Sequence, residues 1–401
     1  MSIAIPRSLC RSATLLLLLT SGAMAQHDPG GITGGGMIGG STGRPTTKPA
    51  TKPANKPPAT TTTKPKPRTT TTTPPVVKRP ISTTNTADYY YKQGESLYNA
   101  QKYHEALDQY LKATEINPSL PDALYRIGWI YNDLEEYSSA VDPLRRLLSI
   151  QPNHAAGSFE LGYAYKKLER YAEALTTFEI TTRIKPDYAA AHYEIGWIQN
   201  EQKNYQDAFI SLRRAISFRA EYPEARNELG YALRNLGRYP EAIAEYHEAI
   251  RLKPDMGLAH LGLGDVYYYN TKNYAEAAKA YKRGLTYREN ATAQYNLGWC
   301  YNDLERYAEA VDELRKAIAL QTNYPEAHNE LGYALHQLGR YQEAIQQYLV
   351  AVQQKTDYAS AHYNLGMSFV AMRNRPAALQ QYRILQRIDN ARATKLFNQI
   401  K

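Results

Sequence analysis

The sequence predicts an all-α protein, an α-solenoid of about nine helix-turn-helix repeats of 34 residues. Two observations carry this prediction. First, apolar residues fall at helical spacing on both sides of a short polar turn within each period. Second, a fixed period of this length indicates stacked supersecondary units. The period is marked by a glycine that recurs every 34 residues without drift, at Gly94, Gly128, Gly162, Gly196, Gly230, Gly264, Gly298, Gly332 and Gly366.

Other residue types recur at fixed distances from this glycine. A tyrosine follows nine residues later at Tyr103, Tyr137, Tyr171, Tyr205, Tyr239, Tyr307 and Tyr341. An alanine comes three residues after that tyrosine, as at Ala106, Ala242 and Ala344. A glycine inside a helix costs roughly 1 kcal/mol relative to alanine. Nine such glycines in register therefore predict that the facing helix leaves no room for a Cβ atom.

The ends of the repeats also carry signals. Prolines mark the expected start of three first helices, at Pro121, Pro223 and Pro325. The sixth repeat departs from the pattern, because Ala277 falls one residue late, and we expect a local irregularity between Asn270 and Asn290. Residues 87–392 hold the nine repeats, and residues 393–401 are predicted to form a C-terminal helix that caps the last exposed apolar face.

The N-terminal part of the chain has a different composition. Residues 1–25 carry two arginines, a leucine-rich run and Ala23-Met24-Ala25 before Gln26, which is typical of a secretory signal peptide. Residues 26–86 are rich in glycine and then in threonine, proline and lysine, so we expect a disordered linker. The chain is therefore predicted to be exported, either to a periplasm or out of the cell, with no transmembrane span in the mature protein.

Charge follows the same boundary. The formal net charge is +9, and residues 26–86 hold nine basic residues against one acid, so the repeats themselves are nearly neutral. A basic disordered segment can bind anionic polymers, among which cell-wall polymer fits an exported protein and nucleic acid is not expected. The other interpretation is a solvated spacer that binds nothing.

Residues able to carry out chemistry are few and scattered. Cys300 lies two residues after Gly298, where other repeats have small or apolar residues, which predicts a buried structural thiol. Four histidines, each four residues before a repeat glycine, are predicted to pack rather than to bind a metal: His192, His260, His328 and His362. No nucleophile elbow, zinc-protease, Cys-x-x-Cys or P-loop motif occurs. We therefore predict no enzymatic activity, no metal and no cofactor.

The period, the residue types and the copy number resemble the tetratricopeptide repeat. That resemblance implies a right-handed solenoid whose first helices line a concave groove, with ligand contacts three residues before, one after and four after the glycine. The predicted groove residues are Tyr125, Trp129, Asn132, Phe159, Tyr163, Lys166, Tyr193, Trp197, Asn200, Asn227, Tyr231, Arg234, Tyr295, Trp299, Asn302, Asn329, Tyr333 and His336.

The resemblance implies a non-catalytic scaffold that binds partner proteins or peptides in this groove. Asparagine, Lys166 and Arg234 would bond a peptide backbone or a carboxylate, and we expect these polar groups not to be buried. An alternative is a carbohydrate-binding module that uses the basic linker and the aromatic ladder on cell-wall glycan. A further alternative is that the aromatic residues only pack between neighbouring first helices.

Overall fold

The structure, a computed structural model, describes residues 83–401. Within this range the chain forms nineteen α-helices and one π-helical segment, and no strand. The all-α prediction is confirmed. The predicted signal peptide and the linker up to residue 82 lie outside the described residues. The first helix begins at Thr83, so the last four residues assigned to the linker belong to it.

The described helices fall into two compact units, residues 83–187 and 188–401. The first unit contains α1 (Thr83–Asn99), α2 (Tyr103–Ile116), α3 (Pro121–Asp133), α4 (Tyr137–Ile150), α5 (Ala155–Lys167) and α6 (Tyr171–Ile184). The second unit contains α7 (Ala189–Glu201), α8 (Tyr205–Phe218), α9 (Pro223–Asn235), α10 (Tyr239–Leu252), α11 (Gly257–Asp265), the π segment (Val266–Thr271), α12 (Tyr274–Leu285), α13 (Ala291–Asp303), α14 (Tyr307–Leu320), α15 (Pro325–Gln337), α16 (Tyr341–Gln354), α17 (Ala359–Ala371), α18 (Arg375–Ile388) and α19 (Asn390–Ile400).

Each repeat pairs an odd-numbered first helix with the even-numbered second helix that follows it, from α1 with α2 to α17 with α18. Three pairs form the first unit and six form the second. Within each unit, every second helix also packs against the first helix of the next repeat. Each unit is therefore a stack of helix pairs, which is the α-solenoid arrangement.

The repeat glycine lies at a close contact between helices, which is inside the pair in the first eight repeats and with α19 (Asn390–Ile400) in the ninth. A Cβ atom placed on any of the nine would lie only 2.3 to 2.9 Å from a large side chain of a facing helix. In the fifth repeat that side chain is Tyr246, which faces Gly230 and is 1% exposed. The prediction of a contact with no room for a Cβ is confirmed. The facing residues are Tyr110, Leu144, Phe178, Leu212, Tyr246, Tyr281, Leu314, Tyr348 and Leu396.

A single residue with positive φ ends each first helix. It lies seven residues after the repeat glycine, or eight in the sixth repeat, and in seven repeats it is not glycine. Its amide closes a hydrogen bond back to the helix, as does the next amide, which satisfies two of the carbonyls at the helix end. For example, the amide of Glu135 donates to the backbone oxygen of Asn132, and the amide of Glu136 donates to that of Tyr131. Outside the sixth repeat the turn therefore has one geometry, whatever residue occupies it.

The sixth repeat contains the irregularity that the sequence predicts. The first helix continues from Asp265 into the π segment, and the turn ends with Lys272 in the left-handed region. A π-helical turn accommodates one extra residue without breaking the helix, which explains why Ala277 is one residue late. The disturbance begins at Val266, four residues before the predicted start.

The last repeat is closed by α19. Leu396 of α19 faces Gly366, a place that a second-helix residue takes in the other repeats. Ala393, Leu396 and Ile400 are buried. The helix begins at Asn390, three residues before the predicted boundary, and the side chain of Asp389 caps it. Within residues 83–401, none of the helices is both long and apolar enough to span a lipid bilayer.

Gly230→Leu should destabilise the protein by about 1 to 3 kcal/mol, because the new side chain has to displace Tyr246. Gly237→Asn is the control, since Gly237 has a φ of +75° with no atom within 4 Å of a Cβ, and asparagine tolerates that conformation. Chemical denaturation of both variants is the measurement. An unchanged midpoint for Gly230→Leu would contradict the packing argument.

Candidate functional site

All eighteen predicted groove residues lie on first helices, on α3, α5, α7, α9, α13 and α15. Within the units, first helices of successive repeats contact one another: α3 with α5, α7 with α9, α9 with α11, α13 with α15 and α15 with α17. We call the surface that the first helices form within each unit the first-helix face. The predicted residues are therefore placed at the seams between repeats.

Three asparagines at the same phase join neighbouring repeats. The amide nitrogen Nδ2 of Asn132 donates to both the backbone oxygen and the carboxylate of Glu160, each at 2.9 Å. Asn200 does the same with Glu228 at 3.0 Å, and Asn302 with Glu330 at 3.2 Å. In each pair the glutamate lies 28 residues after the asparagine, on the next first helix. One side chain thus bonds the main chain and the side chain of the adjacent repeat.

The expectation that the asparagines of the predicted groove are not buried is wrong for all five, and His336 is buried as well. Each of these side chains makes a hydrogen bond within the protein, which offsets part of its loss of water, while the Oδ1 atoms of Asn132, Asn200 and Asn302 have no partner. His336 bonds the hydroxyl of Ser368 at 2.8 Å, and burial lowers the pKa of this histidine to about 4. The six buried residues are Asn132, Asn200, Asn227, Asn302, Asn329 and His336.

Arg234 is also engaged within the protein. Its Nη1 lies 2.6 Å from the carboxylate of Asp265, and the two side chains are 14% and 9% exposed. Tyr281 donates to the same carboxylate at 2.8 Å, and Asn296 donates to the hydroxyl of Tyr281. Burial raises the pKa of Asp265 although Arg234 opposes the shift. As placed, Arg234 balances an internal carboxylate and does not present a free cation to a ligand.

Asp265 is not among the residues that the sequence predicts for the site, although its position in the repeat could have identified it. Asp265 follows the repeat glycine directly, where most repeats carry tryptophan or tyrosine. The first repeat has the same exchange at Glu95, which bonds the guanidinium of Arg126 at 2.9 Å and accepts from Tyr110. An acid that interrupts the aromatic series thus marks a polar seam with an arginine from a neighbouring repeat.

The aromatic residues after the glycine pack against the preceding repeat. Trp129 makes edge-to-face contacts with Tyr98 and Tyr103, at centroid distances of 5.3 and 5.6 Å. Trp299 is held in the same way by Tyr268 and Tyr274. Tyr163, Tyr231 and Tyr333 each contact the tyrosine at the start of the preceding second helix.

The aromatic residues three before the glycine pack in the other direction. Tyr125, Tyr193 and Tyr295 lie 5.1 Å from the ring that precedes the next first helix, which is His154, Tyr222 and Tyr324 in turn. Phe159 packs on Phe178. The rings therefore do pack between repeats, but only Phe159 is buried, and the others, with Lys166 and Trp197, keep part of their surface exposed. Whether they contact a ligand remains a prediction.

A hydrogen-bonded chain of side chains connects the seventh, eighth and ninth repeats. Asn302 and Asn329 donate to the two carboxylate oxygens of Glu330, and Asn364 donates to Asn329 at 3.1 Å. Burial raises the pKa of Glu330 from 4.5 to about 7, against the effect of its two amide donors. Desolvation of the charged form outweighs two neutral hydrogen bonds here.

The scattered histidines and Cys300 are packing residues, as predicted. His328 and His362 bond glutamines of their second helices, His260 bonds a backbone oxygen and His192 stacks on Phe218. Cys300 is fully buried, which raises the pKa of its thiol. No group of three or more histidine, cysteine or acidic side chains suited to a metal ion occurs in the part of the chain that the structure describes.

Comparison with known families matches most of the repeat region. Two models are described as tetratricopeptide repeat. One matches residues 159–226 and 227–286, and the other matches residues 122–154. A third, described as TPR repeat, matches residues 94–131, 300–339 and 332–372. None of the curated proteins compared with the chain matches its sequence.

Solved structures with similar helices include YrrB, described as a TPR protein with an unusual peptide-binding site. It is 27% identical over 47% of this chain and 97% of its own, with a TM-score of 0.45. MamA is 23% identical over 42% of this chain and 91% of its own, with a TM-score of 0.39. PilF of Pseudomonas aeruginosa is 20% identical over 53% and 97%, with a TM-score of 0.44.

Arg234→Met should destabilise the protein by about 3 kcal/mol, because it leaves Asp265 buried without its cation. Arg238→Met is the matched control, since Arg238 makes a more exposed pair with Glu241, which solvent screens, so its loss should change stability little. Urea denaturation at pH 8 measures both. Equal losses of unfolding free energy in the two variants would show that the buried pair stabilises the protein no more than the exposed pair does.

The raised pKa of Glu330 predicts a stability that falls with pH. Between pH 4.5 and about 7 the folded protein holds a proton on Glu330 that the unfolded chain has lost. The contribution is therefore complete below pH 4.5 and is lost as pH rises through 7. Relative to Glu330→Gln, the parent should lose on the order of 1 kcal/mol between pH 5 and pH 8. If the unfolding free energies of the parent and of Glu330→Gln change with pH in the same way, the raised pKa of Glu330 is refuted.

Proposed function

Because the chain belongs to the tetratricopeptide repeat family, we propose that it is a non-catalytic scaffold that binds partner proteins or peptides on the first-helix face of its repeats. Proteins of this family generally act as scaffolds for protein or peptide partners. The observation that carries the proposal is the series of partly exposed tyrosine and tryptophan rings along the first helices. No catalytic step is assigned to any residue.

The packing of these rings suits a binding surface. Most of these rings contact a ring of a neighbouring repeat, as Trp299 contacts Tyr268 and Tyr274. A ring already fixed in place loses little conformational freedom when a ligand covers its exposed part. Tyrosine and tryptophan are also the side chains that most often dominate binding energy at interfaces.

A second candidate function is carbohydrate binding, because exposed aromatic faces also suit the apolar faces of sugar rings. In that account the basic residues 44–79 contact cell-wall polymer and the rings stack on glycan. A competition experiment distinguishes the two functions. Added oligosaccharides displace a bound glycan, whereas they leave a bound peptide in place.

We also propose that the protein works outside the cytoplasm, in a periplasm or secreted. The support is the sequence of residues 1–25, in which a leucine-rich run precedes a small-residue cleavage site. The basic linker that follows would then contact anionic cell-wall polymer and hold the repeats at a distance from it.

Trp197→Ala should weaken partner binding by about 2 kcal/mol, roughly thirtyfold, if this ring is a centre of the interface. The immobilised full chain is exposed to envelope extract with and without competing oligosaccharides, and retained proteins are quantified. Tyr287→Ala is the control, because Tyr287 is 40% exposed but lies outside the first helices. Equal retention by parent and Trp197→Ala removes this face from the account, and displacement by oligosaccharide supports the second function.

Export predicts a mature protein that begins at Gln26. Sequencing of the N-terminus of protein recovered from the envelope or the medium measures this directly. A retained Met1 in that fraction would argue against cleavage between Ala25 and Gln26.

A further inference from the structure

Glu330 lies at the seam between α13 and α15 in a ring of polar and aromatic side chains. Asn302 bonds its Oε2 at 3.2 Å and Asn329 its Oε1 at 3.1 Å. Three tyrosines from other elements lie near enough for the charge of Glu330 to raise their pKa values: Tyr268 of the π segment, Tyr295 of α13 and Tyr358, the residue before α17. The carboxylate is thus surrounded by amides and ring systems.

This seam has more hydrogen-bond acceptors than donors. The Oδ1 atom of Asn302 is buried without any partner, and the residue is 5% exposed. Each carboxylate oxygen of Glu330 receives only one of the two or so hydrogen bonds it can accept. Buried acceptors without donors cost free energy, so a group that only donates would stabilise the seam.

The protein supplies no cation at this seam. Glu330 has no salt-bridge partner among residues 83–401. Burial and the two amide donors are the causes of the pKa shift of Glu330, and no basic side chain contributes to it. The seam therefore presents an uncompensated carboxyl group beside aromatic rings.

The same arrangement occurs three repeats earlier. Glu228 accepts from Asn200 at 3.0 Å and from Asn227 at 3.3 Å, and its charge raises the pKa of Tyr193. The Oδ1 atom of Asn200 is again buried without a partner, and the residue is 3% exposed. Two seams of the second unit thus share one composition: a glutamate, two asparagines of which one has an orphan acceptor, and tyrosine.

We propose that these two seams bind the cationic side chains of a lysine- or arginine-rich extended peptide. This inference rests on the proposed peptide-binding function and names its ligand chemistry. An ammonium or guanidinium group donates several hydrogen bonds and accepts none, which matches the surplus of acceptors. The tyrosine rings add attraction for a cation at their faces. Arg234, expected from the sequence to hold an acidic ligand, is paired with Asp265, and the carboxyl groups at these seams select a basic ligand.

Proton release gives the proposal a second signature. The pKa of Glu330 is raised to about 7, so part of the population is protonated near neutral pH. A cation that binds beside it favours the charged form and expels that proton. Binding at pH 7 should therefore release protons to the buffer, and the measured heat should depend on the ionisation enthalpy of the buffer.

The test uses the full chain with the nine basic residues of the segment 44–79 changed to glutamine, which removes competing cations of the chain itself. The probe is a synthetic peptide with the natural sequence of residues 44–68, which carries seven of those basic residues. Titration calorimetry should show binding that Glu330→Gln and Glu228→Gln each weaken about tenfold. Glu289→Gln, an exposed acid outside the first helices, is the control and should change affinity less than about twofold.

Four outcomes overturn the inference: no binding of the probe, equal binding of a probe with glutamine at every basic position, equal losses in Glu289→Gln and Glu330→Gln, or no proton release. Denaturation midpoints of the glutamine variants show whether they remain folded, and the isosteric change keeps the acceptor that Asn302 uses. A glutamine probe whose binding depends on Trp197 but not on Glu330 or Glu228 would leave the scaffold function standing and refute the basic ligand alone.

Discussion

The contact between a first-helix glycine and one large side chain of a facing helix is the constraint on which the other features depend. Nine times a Cβ atom would lie within 2.9 Å of Tyr, Leu or Phe, so the helices can approach only where glycine is present. Because interiors are packed to near crystalline density, this contact fixes the register of the two helices within each repeat. Because this register repeats every 34 residues, side chains at the same positions of the repeat meet wherever two repeats pack together. In the last repeat the capping helix α19 supplies the missing partner through Leu396.

Polar and aromatic contacts at the seams follow from that register. Four residues after one glycine and two before the next, side chains of adjacent first helices meet, and Asn132, Asn200 and Asn302 use this meeting to bond Glu160, Glu228 and Glu330. Rings one residue after the glycine meet the tyrosine of the preceding turn. Where an acid replaces the ring, as in Asp265, an arginine and a tyrosine of neighbouring helices balance it.

This internal pairing decides which chemistry the first-helix face retains for a partner. Arg234 balances Asp265, so this predicted positive group is not left over for an acidic ligand, and neutral His336 bonds Ser368. The carboxyl group of Glu330 keeps acceptor capacity beside tyrosine rings. Such a surface favours ligands that donate hydrogen bonds and carry positive charge, and the shared composition of two seams three repeats apart favours an extended ligand over a compact one.

The sequence by itself determined the all-α repeat fold, the start of three first helices at proline, the glycine contact and the irregular sixth repeat, because these depend on residue spacing along one chain. It also placed the candidate residues on the first helices. What it did not provide was their environment. Whether Asn302 faces a ligand or Glu330, and whether Arg234 is free or paired with Asp265, depends on side chains that lie 28 and 31 residues apart and meet only when repeats stack. Burial, ion pairing and the pKa of Glu330 arise from that meeting, so only the tertiary structure decided them.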